Sequence, residues 1–428
     1  VKHRARIAAL FVLSGASGLV FEVIWVRQLA TWAGHGSVAL SLVVAAFLTG
    51  MVLGNLVGGR LADRGGSLVR AYALLEAVTG LAALAVSLLL ARAAELSVLL
   101  ADRAPAPLSS LAARVALAFV VLLIPTAAMG ATLPVLTRHL AREGEVGRPL
   151  GALYALNTLG AAAGCGLAGF ALLGTIGLLR TAIAAACANL AVALLAWSLD
   201  AAPTPASLAP PAAAPSPERR ALRAIALATG FAAIACEVLW FRVLHAFVRS
   251  STYAFTLLLV VFLAGIVLGG ALYARRLAAH PRPWSLLADV QSALAATTLA
   301  SVAVLGRAGS LTALLGRATG RHADADADLV HLGVGAAVIL APATLMGASF
   351  PLVAALGAAR DPRGPGRGIG SLAALNTLGG AAGSLVTGLA LIPALGTQRS
   401  FALAVALSLA ASLVARRHAD HALTLRGD

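Results

Sequence analysis

Apolar positions in this chain fall in long unbroken blocks rather than in alternation or single stripes. Blocks of the roughly 20 apolar residues needed to cross a bilayer recur from one end to the other. They predict twelve membrane-spanning helices, at about 7–31, 37–59, 70–91, 112–137, 149–173, 178–199, 221–246, 252–275, 285–306, 330–356, 368–392 and 397–415. Polar residues gather in the short intervals between blocks. The spans starting at Arg70 and Trp284 are the exceptions, since each carries an acid.

The pattern is written twice. SGASGLVFEVIWVRQL at 14–29 returns as TGFAAIACEVLWFRVL at 229–244, a spacing of 215. Phe47, Gly50 and Gly54 match Phe262, Gly265 and Gly269 at the same spacing. Pro125, Met129, Gly130 and Pro134 match Pro342, Met346, Gly347 and Pro351 at 217, and Asn157-Thr158-Leu159-Gly160 matches Asn376-Thr377-Leu378-Gly379 at 219. The repeat is far longer than a solenoid unit and indicates fusion of two halves, a construction common in transporters. The organisation expected is a six-helix bundle at 1–200, a Pro/Ala-rich linker at 201–220 and a second six-helix bundle at 221–428. Residues 201–217 hold six prolines and no apolar period, so the linker is expected to be flexible and semi-extended.

Composition agrees with the blocks. The chain is 60% hydrophobic and 11% charged, against about a quarter charged in soluble chains. Its net charge of +15 does not point to nucleic acid, because the arginines are scattered over short loops rather than gathered on one face. Their distribution sets an orientation. With the amino terminus inside, each of seven inner segments carries three Lys or Arg, 21 of the 32 in the chain. The positive-inside rule therefore predicts a multi-pass inner-membrane protein with both termini cytoplasmic, and an even number of spans per half. The first apolar block has a basic flank, but it holds Glu22 and no convincing cleavage site, so it reads as a retained helix. Cys165, Cys187 and Cys236 lie in predicted spans with no metal or disulfide spacing.

Segments 92–111 and 307–329 read as matched amphipathic surface helices, with Leu96, Leu99 and Leu100 answered by Leu311, Leu314 and Leu315. His322, Asp324, Asp326 and Asp328 follow the second, and read as a solvated loop rather than a cation site. Neither a dinucleotide fingerprint, a phosphate loop nor a nucleophile elbow occurs, so no cofactor and no enzymatic activity are expected. The glycines of GNLVGG at 54–59 and GCGLAGF at 164–170 lie inside spans, where small residues let helices approach.

The candidate chemistry is acidic. A carboxylate at mid-membrane costs about 2.5–3.5 kcal/mol on insertion scales, so it faces a cavity or a partner. Glu22 is matched by Glu237 and Glu76 by Asp289, the latter at a spacing of 213. Pseudo-twofold symmetry would bring all four to a central cavity, as a proton or organic-cation site. The competing reading makes Glu22 and Glu237 structural partners of Arg242 and Arg27 across the halves. Trp25 and Trp240 follow the two acids by three residues, on the same helix face. They suit either an ammonium group beside an indole or an interfacial aromatic belt. Asn157 and Asn376 are buried amides that either bridge helices or line a cavity. The four prolines read as helix bends.

Gly59-Arg60-Leu61-Ala62-Asp63-Arg64-Gly65-Gly66 resembles the signature of the major facilitator superfamily, G-x-L-a-D-r-x-G. In that family the Asp and Arg latch two bundles during alternating access, which the resemblance transfers to Asp63 and Arg64. The second half keeps Gly270 and Arg276 but has no acid where Asp63 would map, so the implied latch is one-sided. Over 7–417 the chain looks like the membrane portion of the fused facilitator/spermidine-synthase-like proteins. SGASGLVFEVIWVRQL, VVAAFLTGMVLGNLVGGRLADR, PTAAMGATLPVL and LYALNTLGAAAG carry that likeness. The sequence to Asp428 lacks the aminopropyltransferase-like domain, so synthase activity is not implied.

These readings converge on an all-α membrane protein with two parallel six-helix pseudo-repeats. The leading expectation is a secondary transporter or exporter of polyamines or related organic cations, embedded in lipid, with small cations or protons as ligands. The alternative is a non-transporting scaffold for a separate synthase-like protein.

Overall fold

The computed structural model describes residues 2–33, 37–92, 111–141, 145–199, 203–206, 216–247, 252–307 and 327–424, with isolated positions at 310, 313–314 and 317. Twelve long helices account for nearly all of them. The first six are α1 (Lys2–Ala33), α2 (Ser37–Arg64), α3 (Leu68–Ala91), α4 (Leu111–Leu140), α5 (Gly147–Leu167) and α6 (Gly177–Trp197). The last six are α7 (Pro217–Phe247), α8 (Thr252–Leu272), α9 (Pro283–Leu305), α10 (Ala327–Ala358), α11 (Pro365–Val386) and α12 (Ile392–Thr424). Eleven stretches are long and apolar enough to cross a membrane, and the last of them, Pro365–Asp420, contains both α11 and α12. The predicted spans thus correspond one to one with the helices. With twelve alternating helices, α1 starts and α12 ends on one face of the bundle, here called the terminal face.

The helices are apolar on nearly all sides because lipid solvates their outer faces. Leu74, Leu81, Val120, Ile124, Leu194, Leu299 and Leu413 are accordingly exposed. Between helices the opposite chemistry rules, since lipid tails supply no hydrophobic drive for association and close packing must do so. The crossing of α1 on α5 is made backbone to backbone: Gly15 lies on Asn157, Gly160 on Val12 and Gly164 on Ala16. The crossing of α7 on α11 repeats it with Gly230 on Asn376, Gly379 on Leu227 and Gly383 on Phe231. Likewise Gly54 and Gly130 join α2 to α4 through Ala127 and Met51, and Gly269 and Gly347 join α8 to α10 through Thr344 and Ile266. The sequence repeat is therefore a repeat of contacts. We expect Gly160→Ala and Gly379→Ala each to cost about 1–3 kcal/mol, because the added methyl meets a carbonyl oxygen that cannot yield without parting the helices. Thermal unfolding in detergent, read side by side for the two variants, measures this.

The symmetry extends to irregular backbone. Both α5 and α11 continue into a π-helical turn, Ala168–Leu172 and Thr387–Leu391, at the spacing of 219. Each half then turns on a left-handed glycine, Gly177 (φ 79°) and Gly396 (φ 76°), a conformation that costs an L side chain energy. A third π-helical turn, Tyr273–Leu277, ends α8 and has no counterpart in the first half.

One part of the linker departs from the flexible reading. Thr204 and Gly66 exchange backbone hydrogen bonds of 2.8 and 2.9 Å, and Pro205 accepts one from Arg138 at 3.3 Å. Residues 203–206 are thus fastened to the turn after α2, because Gly65 and Gly66 take positive φ there and bare the backbone for pairing. The paired surface helices expected at 92–111 and 307–329, with His322, Asp324 and Asp326, fall largely outside the described residues.

Candidate functional site

Glu22 on α1 and Glu237 on α7 are brought together where the two halves meet. Each is half-buried, and their charges are close enough to act on one another. Both also bear on the thiol of Cys165 on α5. Among the described residues, no hydrogen bond or ion pair reaches either carboxyl. The cross-half pairing of Glu22 with Arg242 and of Glu237 with Arg27 is not formed; Arg242 is exposed and Arg27 half-buried. Glu237 borders a cavity of about 30 Å³ with Trp240, Phe241, Leu258, Leu259, Phe262 and Ile339. That is room for a water molecule against the carboxyl.

The other two acids go elsewhere. Glu76 is fully buried inside the first half, accepting hydrogen bonds from Ser14 of α1 at 2.5 Å and Asn189 of α6 at 2.7 Å. Asp289 stands on the outside, 64% exposed, paired with Arg416 of α12 at 3.1 Å. The four acids therefore do not converge; only the Glu22–Glu237 pair does. The reason is helical register. The tryptophan contacts below align α3 with α9 at 214, not 213, and one residue of slip turns a side chain by about 100° around a helix.

Trp25 and Trp240 belong to neither an aromatic belt nor an open binding surface. Both are buried in the helix core. Trp25 donates its indole N–H to Ser87 at 3.0 Å, and Trp240 donates to Ser301 at 3.1 Å, so each ties the first helix of its half to the third. Only Trp240 also borders the cavity at Glu237. Ser87→Ala and Ser301→Ala leave a buried indole N–H without its acceptor. Each is expected to cost about 1–3 kcal/mol, by nearly equal amounts in the two halves, in thermal melts. Asn376 bridges α11 to α7, donating to the Ala226 carbonyl at 3.1 Å and the Thr229 hydroxyl at 3.3 Å, and the side-chain oxygen of Asn157 lies near Gly15.

A second locus lies at the terminal face. Asp63, at the end of α2, is buried and accepts hydrogen bonds from the backbone N–H of Gly366 at 2.9 Å and of Arg367 at 2.8 Å. It caps the first turn of α11, in the other half of the molecule, where unpaired N–H groups and the helix dipole favour an anion. Gly364, with φ 121°, delivers the chain to this contact; a Cβ there would strike the Asp63 carboxyl. Gly59 and Gly370 let α2 and α11 touch just above. The guanidinium groups of Arg138 and Arg367 bear on Asp63, whereas Arg64 is exposed. Asp63 thus joins the end of α2 to the start of α11 across the two halves, and Arg64 does not take part.

Near Asp63 is an ion-pair cluster that the sequence left unread. Asp361 accepts hydrogen bonds from Arg363, from its backbone N–H and Nε at 3.0 Å and Nη2 at 2.8 Å, and pairs with Arg219 of α7 at 3.5 Å. Arg360 pairs with Glu218 at 2.8 Å. Burial alone would raise the Asp361 pKa, but the hydrogen bonds and charge of Arg363, with the charge of Arg219, outweigh it and hold it below the ordinary carboxylate value of 3.8. A depressed pKa gives stabilisation that is complete above the ordinary value and lost as pH falls through the folded one. Below about pH 4, wild-type protein is therefore expected to lose melting temperature more steeply than Asp361→Asn. The signal available in the sequence was R-D-P-R, an acid between two arginines ahead of a Pro-Gly helix start.

Among the described residues, no His, Cys, Asp and Glu group capable of holding a metal ion is present. No family model matches the chain, and no curated protein matches it. Solved structures do. The E. coli fucose:proton symporter FucP is 18% identical over 96% of this chain and 97% of its own, with a TM-score of 0.60. The human organic anion transporter MFSD10 is 16% identical over 97% of this chain and all of its own, at 0.62. The major facilitator superfamily proton:xylose symporter XylE is 13% identical over 96% and 95%, at 0.56. The chain has the multi-pass, twelve-helix fold of these major facilitator superfamily transporters.

Proposed function

We propose that this protein is a secondary transporter that works by alternating access, with Glu22 and Glu237 as the residues that hold its cation or proton. The observation that carries this reading is the pair itself. Two half-buried carboxyls, one from each half, lie near enough for their charges to act on one another, with no basic partner among the described residues. Burying such a pair is costly unless a cation or proton completes it. Rocking of residues 1–200 against 221–428 about the 201–220 linker would expose the pair to each side in turn. Asp63 would hold the terminal face shut in one of the two states. The arginine-rich segments favour the cytoplasm as the side of that face, and so an inner-membrane protein with both ends inside.

Polyamines and related organic cations are the substrate class we favour, since a chain with two or more ammonium groups can satisfy both carboxylates at once. The likeness of the sequence to the membrane portion of the fused facilitator/spermidine-synthase-like proteins points the same way. Nothing in the geometry favours a scaffold for a separate synthase-like protein. The test is uptake of labelled putrescine and spermidine into proteoliposomes, with and without a pH gradient. Uptake that saturates and responds to the gradient is expected; no flux above empty vesicles overturns the proposal.

A further inference from the structure

The latch has a counterpart that lacks its acid. Asp63 caps α11 through the N–H of Gly366. Shifted by the repeat spacings of 215 and 219, the matching positions are Ala278 after α8 and Gly147 at the start of α5. Among the described residues, no side chain is hydrogen-bonded to that helix start as Asp63 is to α11. Ala278 and Gly147 instead line the same cavity, of about 620 Å³, which opens between the two halves. A volume of this size suits a small-molecule ligand.

Its lining mixes basic and apolar side chains. Arg138, Arg360 and His280 contribute basic groups, and Leu277, Leu352 and Leu356 contribute apolar surface. The acid on the wall, Asp361, is already held by Arg363 and Arg219. Arg360 is met by Glu218. Arg138, whose charge also bears on Asp63, keeps unused hydrogen-bonding capacity. Among the described residues its hydrogen-bond acceptor is the backbone oxygen of Pro205, and its Nε is buried with no acceptor. The hydroxyl of Tyr273, which also lines the cavity, stands beside Gly147. An oxyanion placed here would meet a guanidinium, a hydroxyl and the first N–H groups of a 21-residue helix, the donor set that suits phosphoryl and carboxylate groups.

We propose that this cavity binds an oxyanion, a phosphate group on a soluble molecule or on a lipid, which takes the place of the missing second latch carboxylate. Bound there, it bridges α5 to α8 and α10 as Asp63 bridges α2 to α11, and holds the terminal face closed. Phosphate reaching the site from solution and phosphate presented by a lipid headgroup share this chemistry and differ in what meets the apolar surface.

The test measures melting of the full-length protein in detergent at constant ionic strength. One arm titrates inorganic phosphate against chloride; the other titrates dihexanoyl phosphatidylglycerol against dihexanoyl phosphatidylcholine. A saturable rise in melting temperature with phosphate identifies a soluble oxyanion, and a rise confined to phosphatidylglycerol identifies a lipid headgroup. Ala278→Asp, which restores the acid, is expected to raise the melting temperature without ligand and to abolish the response. Should that variant fail to fold, Arg138→Gln is expected to weaken the response about tenfold or more through loss of a charge-assisted contact. No saturable response in either arm, or an undiminished response in both variants, overturns the proposal. The readout is independent of transport, so failure here leaves the proposed function standing.

Discussion

A Glu22→Gln, Glu237→Gln double variant is expected to retain its fold and lose flux by at least about 30-fold, since truncating a charge contact of this kind costs about 2–5 kcal/mol. Glutamine keeps the shape and removes the charge, and no hydrogen bond or ion pair among the described residues depends on either carboxyl. Melting temperature should therefore hold or rise, because the two interacting acids no longer share one site. Each single variant should cost nearly as much as the pair, because residues that hold one ligand together are not additive. Glu76→Gln gives the contrast. That carboxyl is spent on Ser14 and Asn189 within one half, so its loss is expected to touch stability and leave the substrate dependence of flux alone. Flux and melting temperature measured on the same four preparations separate the two roles.

The second large effect concerns the latch. Asp63→Ala removes the acceptor for two N–H groups across the interface of the halves. A helix cap is worth about 1 kcal/mol, and a partly buried charge at a helix end up to about 2 more. The balance between closed and open terminal faces should accordingly move by about tenfold to a hundredfold toward open. Ala62, fully buried beside Gly366, reports on this. In a background without Cys165, Cys187 and Cys236, maleimide labelling of Ala62→Cys should quicken by that factor when Asp63→Ala is added. Arg64→Ala, at an exposed side chain, should leave the rate unchanged. Equal rates with and without Asp63 would show that the cap does not hold the face shut.

Much of this architecture was legible in the sequence because membrane helices advertise themselves by length and hydropathy. The duplicated glycines also sit where the crossings are: Gly15, Gly160 and Gly164 touch the positions that Gly230, Gly379 and Gly383 touch in the other half. Facing was harder to read. Glu76 and Asp289 aligned plausibly at 213, yet Ser87 and Ser301 set the true register at 214, and that one residue sends Asp289 to the surface. The tryptophans hid their role for a related reason. Their partners are serines, which a hydropathy pattern passes over, so an indole buried against α3 or α9 looks the same in sequence as one at an interface. The Asp63 motif gave no sign of what Asp63 binds, because its donors are the backbone N–H groups of Gly366 and Arg367, which have no side-chain signature. The cavity beside Ala278 was visible only as a missing acid.

The central claim is that Glu22 and Glu237 together form the cation site. Calorimetric titration of spermidine into purified wild-type protein, repeated in buffers of different ionisation enthalpy, tests it most directly. The account predicts one saturable site, with protons released as the ammonium groups displace them from the carboxyls, and no binding heat in the Glu22→Gln, Glu237→Gln double variant. Binding of equal strength in the double variant, or no binding to the wild type, would contradict it.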